Sequence, residues 1–406
     1  MSIRVALSFL GTGQYQPTTY TWNGDDCNTR FMPVALESLF EPGRLLVAET
    51  PGARQKHGEA LREACDMTSV TVPRATDETA WWRMFNALTD AVPEGATLLV
   101  DVTHGFRSQP FLSLAVVIYL RVVKDVEVER IVYGAYEAGE EGTSPVVDLT
   151  SFLDLIDWAK ATEQFKRYGD AAPVRDMFTA LSDESQLGGQ AALRLRPAGE
   201  KLSRLTRALS LNRPLETLDE ADGLIGMLEG AMDDAMSAPP AVPAKRLLVT
   251  LAERFAPLGH AEGSVFTSRG FGAQAAMLRF YMQTRQYLQA FTLGQEMLVS
   301  WTCVHHDLDP LDRGQTDPDL RGRRGGRALL KECDQMDRET RNEDLASREK
   351  DVARFWTGLR RLRNDVAHAG FSHNPTPSQN LIEEGEGLLS DVADFFDPHA
   401  ELQRGN

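Results

Sequence analysis

An arginine and a histidine five residues apart close the segment "RLRNDVAHAGF" (361–371). Arg363, Asn364 and His368 are side chains suited to work on a phosphodiester. Cutting RNA without a metal needs a 2′-hydroxyl to attack the adjacent phosphorus. One proton must leave that oxygen and another must reach the departing 5′-oxygen. Histidine titrates near neutrality and suits proton transfer. Arginine keeps its charge and suits the developing phosphorane. Asn364 can position by hydrogen bonds without changing the charge. His368 sits near a predicted helix C-terminus, whose dipole favours the imidazolium. On an ideal helix five residues turn about 500°, leaving Arg363 and His368 about 140° apart. Two arrangements reunite them. The helix loosens near Gly370, read as the residue after the C-cap, or a dimer gathers two arginines and two histidines in one cleft. A solvated basic helix end is the plain alternative. Asp365 is read as facing solvent.

Two N-terminal stretches carry a second set of candidates. In "GTGQYQPTTY" (11–20), Gly11 and Gly13 begin a dinucleotide fingerprint, but position 16 is Gln and Pro17 follows. The stretch "TTYTW" stands where a helix should start, so a glycine turn leading into a small hairpin is expected, not a dinucleotide site. In "DVTHGFRSQP" (101–110) a buried strand ends and a helix begins. Gly105 permits close backbone approach. Free N–H groups at a helix start favour an anion. Arg107 can fork onto phosphate, and His104 can donate to a phosphate or a base edge. The plain alternative has Thr103 capping the helix and Arg107 pairing on the surface.

Other candidates carry less. "CVHHDLD" (303–309), with Cys333 downstream, has zinc-ligand types at a spacing that matches no familiar site, so no metal is expected. "RGRRGGR" (321–327), within a charged glycine-rich passage, reads as an exposed loop. Trp81, Trp82 and Phe85 read as core or dimer interface.

The elements that must hold these groups fall into two halves. Apolar runs at 3–10, 44–50, 96–103 and 128–136 alternate with helical spacing at 76–92 and 111–123. Strand–helix–strand alternation predicts a parallel, doubly wound sheet. From 151 onward the pattern is helical, with Ser151 as an N-cap. "SAPPAVPAK" (237–245) reads as a linker, 273–303 as one long helical stretch, and a last helix falls near 378–396. The fold class is therefore α/β plus all-α: residues 1–170, a connector at 171–244, and a helical domain at 245–406. A length of 406 residues fits two or three domains. Hydrophobic residues are 42% and charged residues 25%, an ordinary globular profile, and no apolar run is long enough to span a bilayer. "MSIRVALSFLGTG" reads as a first strand and not a signal peptide. The four scattered cysteines suit a reducing cytosol, so a cytoplasmic location is expected. A net charge of −16 argues against a surface coated for nucleic acid but leaves room for a small basic cleft.

"LGTG" followed by Tyr15, "TRFMPVAL" (29–36), "DVTHGFRS" and "DWAKATEQFKRYGD" resemble, in that order, the sensor domain of CRISPR-associated CARF proteins. "RLRNDVAH" before a glycine resembles the motif of HEPN ribonucleases, and "YLQAFTLGQEML" resembles their first helix. The resemblance implies a Rossmann-like sensor, a helical connector and a helical nuclease domain. It implies a homodimer or higher homo-oligomer that binds cyclic tetra-adenylate or cyclic hexa-adenylate through Gly11, Thr12, Gly13, Thr103, His104, Gly105 and Arg107. Binding would activate metal-independent cleavage of single-stranded RNA by Arg363, His368 and Asn364, with no cofactor beyond the cyclic oligoadenylate. Two rival expectations are a non-catalytic ligand-controlled regulator and a ring nuclease that degrades the cyclic oligoadenylate in the sensor.

Overall fold

The computed structural model describes residues 2–74, 77–105, 109–139, 142–183, 189–235, 241–259, 264–312, 322–340, 347–371 and 373–397. The chain divides into two units, Met1–Asp154 and Leu155–Asn406.

Aliphatic runs without proline make the centre of the first unit's sheet. They are β1 (Arg4–Leu10), β4 (Arg44–Glu49) and β6 (Thr97–Asp101). Almost every residue of these strands is buried, as expected where helices cover both faces. The hairpin β2 (Thr18–Trp22) and β3 (Asp25–Thr29) turns at Asn23 and Gly24, both at positive φ, the signature of a tight primed turn. With β5 (Thr68–Thr71), β7 (Glu127–Gly134) and β8 (Thr143–Asp148) the sheet has eight strands, in the order β3-β2-β8-β7-β6-β1-β4-β5. The run from β5 to β7 is parallel, and β8 pairs antiparallel with β7. The predicted doubly wound sheet is present, extended by a mixed flank. Helices α1 (Met32–Phe40), α2 (Pro51–Ala64), α3 (Glu78–Ala91) and α4 (Gln109–Val123) complete the alternation. Strand order reverses between β1 and β6, so the crevice beyond their C-terminal ends is the topological switch point.

Trp81, Trp82 and Phe85 are not core. With Ile118, Tyr119 and Val122 of α4 they line an open apolar cavity of about 690 Å³, and Trp82 is 59% exposed.

The second unit is helical throughout its described residues. Its elements are α5 (Ser151–Tyr168), which begins at the end of the first unit, α6 (Ala172–Asp183), α7 (Gly189–Ser210), α8 (Pro214–Ala221), α9 (Leu224–Ala235), α10 (Ala241–Phe255), α11 (Ser268–Gln283), α12 (Tyr287–His305), α13 (Gly322–Thr340), α14 (Ser347–Ala367) and α15 (Ser378–Phe395). Four expectations change. Ser151 is the first helical residue, so the cap position falls on Thr150. The second half of the predicted linker is the first turn of α10, where a proline lacks only an N–H that would be unpaired anyway. The stretch 273–303 is two helices, because Arg285 takes a left-handed φ of 58° without help from glycine. The basic run from Gly322 is the start of α13: Arg323 donates to Ser300 and to the Pro310 carbonyl (both 3.0 Å) and pairs with Glu296. Arg321 lies outside the described residues.

Helices α12, α14 and α15 pack closely through small residues. A Cβ on Gly294 would stand 3.0 Å from Leu359, and one on Gly385 would stand 2.4 Å from Phe291. Val352, Trp356 and Leu359 on α14 are buried at helical spacing, and that stripe fixes the helix that ends in the motif.

Candidate functional site

The switch-point crevice joins the two N-terminal motifs. A Cβ on Gly11 would lie 2.9 Å from the His104 carbonyl oxygen, so only glycine lets the loops approach this closely. The Gly11 N–H donates to the Tyr15 hydroxyl at 2.9 Å. Lys56 of α2 donates to the Thr12 and Gly13 carbonyls (2.7 and 3.0 Å), and His57 Nε2–H donates to Gly13 at 2.9 Å. The Tyr15 ring lies between His104 and His57, with centroids 4.2 and 4.9 Å away.

Asp101, fully buried at the end of β6, anchors the second loop. It accepts from Ser8 Oγ of β1 (2.5 Å), from the Thr103 N–H (2.8 Å) and from Thr103 Oγ1 (2.5 Å). Burial pushes its carboxyl up to about 6, against these hydrogen bonds, which pull it down. Thr103 Oγ1 also accepts from the Gly134 N–H at 2.8 Å. Thr103 therefore ties β6 to β7 through its side chain. His104 Nε2 accepts from the Met32 N–H at the start of α1 (3.0 Å). Burial lowers the imidazole to about 4, helped by His57 and opposed by a hydrogen bond to the Arg30 backbone. A neutral ring engaged on both sides positions the loop. It is not a free donor to phosphate, which corrects the reading from sequence.

The crevice thus gathers Gly11, Thr12, Gly13, Thr103 and His104, with Gly105 next in the chain. Arg107 lies outside the described residues. Thr12 and Gly13 are exposed, and the exposed Lys56 brings a cation beside them. The arrangement suits an anion on exposed loop backbone. Tyr15, Lys56, His57 and Asp101 are additions. Asp101 had a signal, an acid ending an apolar strand before a Thr–His–Gly turn. The α2 residues had none, because their contacts cross the fold.

The C-terminal candidates stand on a helix that stays regular. The His368 N–H bonds the Asn364 carbonyl (3.0 Å), as an α-helix requires. The Ala369 N–H bonds Val366 and the Gly370 N–H bonds Asp365, both at 3.0 Å. This is a Schellman closure with His368 as C-cap and Ala369, φ 54°, in the left-handed position expected for Gly370. No loosening brings Arg363 and His368 together, and they remain on different faces of α14. Arg363 continues the stripe of Trp356 and Leu359. It is half-buried, donates from Nη1 to Asn364 Oδ1 (3.3 Å), and its buried Nε has no partner among the described residues. Asn364 and His368 are exposed. Asp365 does not simply face solvent: it is half-buried and accepts from the Thr376 N–H at 3.1 Å, which pins the following loop.

His305 and His306 both face Glu349, with Nε2–Oε1 distances of 3.6 and 3.4 Å. Among the described residues no group of three or more His, Cys, Asp or Glu is arranged to hold a metal. No helix among them is long and apolar enough to cross a membrane.

No protein-family model matches the chain. The sequence is similar to CRISPR-associated protein MJ1674 of Methanocaldococcus jannaschii, 21% identical over 315 residues. That match covers 76% of this chain and 43% of the relative, less than half of its length. Among solved structures, Enterococcus italicus Csm6 bound to cyclic hexa-2′-fluoro-hexa-dAMP superposes with a TM-score of 0.47 at 11% identity, covering 98% of this chain and 94% of that one.

Proposed function

Starting from its similarity to a CRISPR-associated protein, we propose that the chain is a ribonuclease switched on by a cyclic oligoadenylate, of CARF–HEPN type, acting inside the cell in antiviral defence. The proposed domains are a sensor at 1–170, a connector at 171–244 and a nuclease domain at 245–406. The observation that carries the reading is the end of α14. Arg363 offers a guanidinium with an unpartnered Nε, beside the exposed Asn364 and the C-cap His368. One protomer leaves the arginine and histidine about 140° apart, so the reading requires a second copy to complete the cleft. There Arg363 would hold the phosphorane charge and His368 would move the protons, leaving a 2′,3′-cyclic phosphate or 3′-phosphate and a 5′-hydroxyl.

The ligand belongs at the Gly11–Gly13 and Thr103–Gly105 loops, with Lys56 adding charge. The apolar face of α3 and α4 supports a homodimer through the sensor, because α4 begins just after the Thr103–Gly105 loop. A two-fold axis there would place two copies of the crevice around one symmetric ring. Ligand binding would shift the population toward the competent cleft.

The experiment is cleavage of a labelled single-stranded RNA in EDTA, with cyclic tetra-adenylate, cyclic hexa-adenylate or neither. Cutting that requires one ligand and disappears in His368→Ala is expected. Intact RNA under every condition would favour the non-catalytic regulator, which the separation of Arg363 and His368 in one protomer also fits.

A further inference from the structure

The second unit holds a cavity that this reading does not use. Where α5 ends, Gly169 (φ 72°) turns the chain so tightly over Phe280 that a Cβ would stand 2.5 Å from the ring. The cavity beside it measures about 330 Å³ and is lined by Tyr168, Arg175, Ser203, Thr206, Arg207 and Phe280 among others. That volume lies at the small end of ligand pockets.

The polar groups divide into committed and free. Asp170 spends one oxygen on the Ala172 N–H and the other on Gln164 (both 2.9 Å). Gln286 Nε2 donates to the Tyr168 carbonyl and to Thr284 Oγ1 (both 3.1 Å). Arg175 pairs with Asp176 through Nε and Nη2, which leaves Nη1. Among the described residues, the guanidinium of Arg207 and the hydroxyl of Ser203 have no partner. They stand four apart on α7 and so share a face. An exposed Tyr168 ring and the edge of Phe280 add flat apolar surface.

A cation and a hydroxyl four apart on one helix, facing aromatic walls, match an anion attached to a flat ring. We propose that this cavity binds one nucleoside phosphate unit, its phosphate on Arg207 and Ser203 and its base against Tyr168. The unit is either a free mononucleotide or one nucleotide of a single-stranded RNA. The proposal stands whether or not the chain cuts RNA.

The test is photo-crosslinking on the full chain, with labelled peptides mapped by mass spectrometry. One arm uses 8-azidoadenosine 5′-monophosphate, the other a 4-thiouridine-substituted RNA decamer. Labelling in the peptide that contains Tyr168 is expected, reduced about tenfold in Arg207→Glu and less in Ser203→Ala, both variants melting like the wild type. Labelling by the mononucleotide alone identifies a free nucleotide as the ligand, and labelling by the decamer alone identifies RNA. Absence of label near Tyr168 in both arms overturns the proposal. Equal label in both variants overturns it too. Ser203→Ala keeps the test decisive if Arg207→Glu fails to fold.

Discussion

The switch-point crevice and the end of α14 are built in opposite ways. In the crevice nearly every polar group has a protein partner: Asp101 takes three hydrogen bonds, His104 bridges to α1, and Lys56 and His57 fasten the Gly11–Gly13 loop. At the end of α14 the buried Nε of Arg363 has no partner among the described residues, and Asn364 and His368 are exposed. A crevice satisfied within one chain is preorganised to receive a ligand. A helix end with a buried unpaired donor is unfinished within one chain. Under the proposed function, the first would be the receptor and the second a nuclease motif that a partner copy completes.

The largest expected effect lies at the unfinished end. His368→Ala should cut RNA cleavage about 10²–10⁴-fold, and Arg363→Ala by a comparable amount. His368→Ala should leave thermal stability within about 0.5 kcal/mol, as for an exposed position away from the core, whereas Arg363→Ala, at a half-buried position on the packed stripe, should cost about 1 kcal/mol. A large fall in stability would mean that these residues serve the fold.

The next effect lies at the finished crevice and depends on pH. Asp101 holds its proton more tightly folded than unfolded, since its value of about 6 lies above 3.8. Its contribution is therefore present at low pH and lost as pH rises through about 6, on the order of 3 kcal/mol in all. His104 works the other way. Its value of about 4 lies below 6.5, so its contribution is present above 6.5 and lost as pH falls toward 4. Denaturant unfolding of Asp101→Asn between pH 4 and 7 should expose a rise in stability with pH that the wild type masks. Identical profiles for the two proteins would contradict the assignment.

Gly11→Ala should destabilise the first unit by about 1–3 kcal/mol, since the methyl would press on the His104 carbonyl, and should weaken cyclic oligoadenylate binding in calorimetry. The smallest effect is a gain. Ala369→Gly relieves a left-handed alanine and should raise stability by about 1 kcal/mol with no change in cleavage.

The two regions also differ in how far the sequence exposed them. The central strands and the α14 motif were legible because each is local: β1, β4 and β6 are unbroken apolar runs, and a helix end can be read from Arg363 to Gly370. The hairpin was legible from the β-rich run after Pro17. Strand β5 was not, since "TSVT" is four residues long with one of them buried. The break between α11 and α12 was hidden because Arg285 adopts a conformation that glycine or asparagine usually marks. In the crevice the two glycines and the Thr–His–Gly turn were visible. The roles of Lys56 and His57 were not, because they reach Gly13 from more than forty residues away. The bond of His104 to the Met32 N–H was not legible either, because that N–H belongs to a helix no local pattern places beside it.

The central claim is that Arg363 of one protomer works with His368 of another. Its most direct test is ligand-activated cleavage by heterodimers formed from Arg363→Ala and His368→Ala chains. Each variant alone should be inactive. The heterodimer retains one Arg363 and one His368 on opposite protomers, so it should regain about half the wild-type activity. Two inactive variants whose heterodimer stays inactive, beside an active wild type, would contradict a site shared between chains.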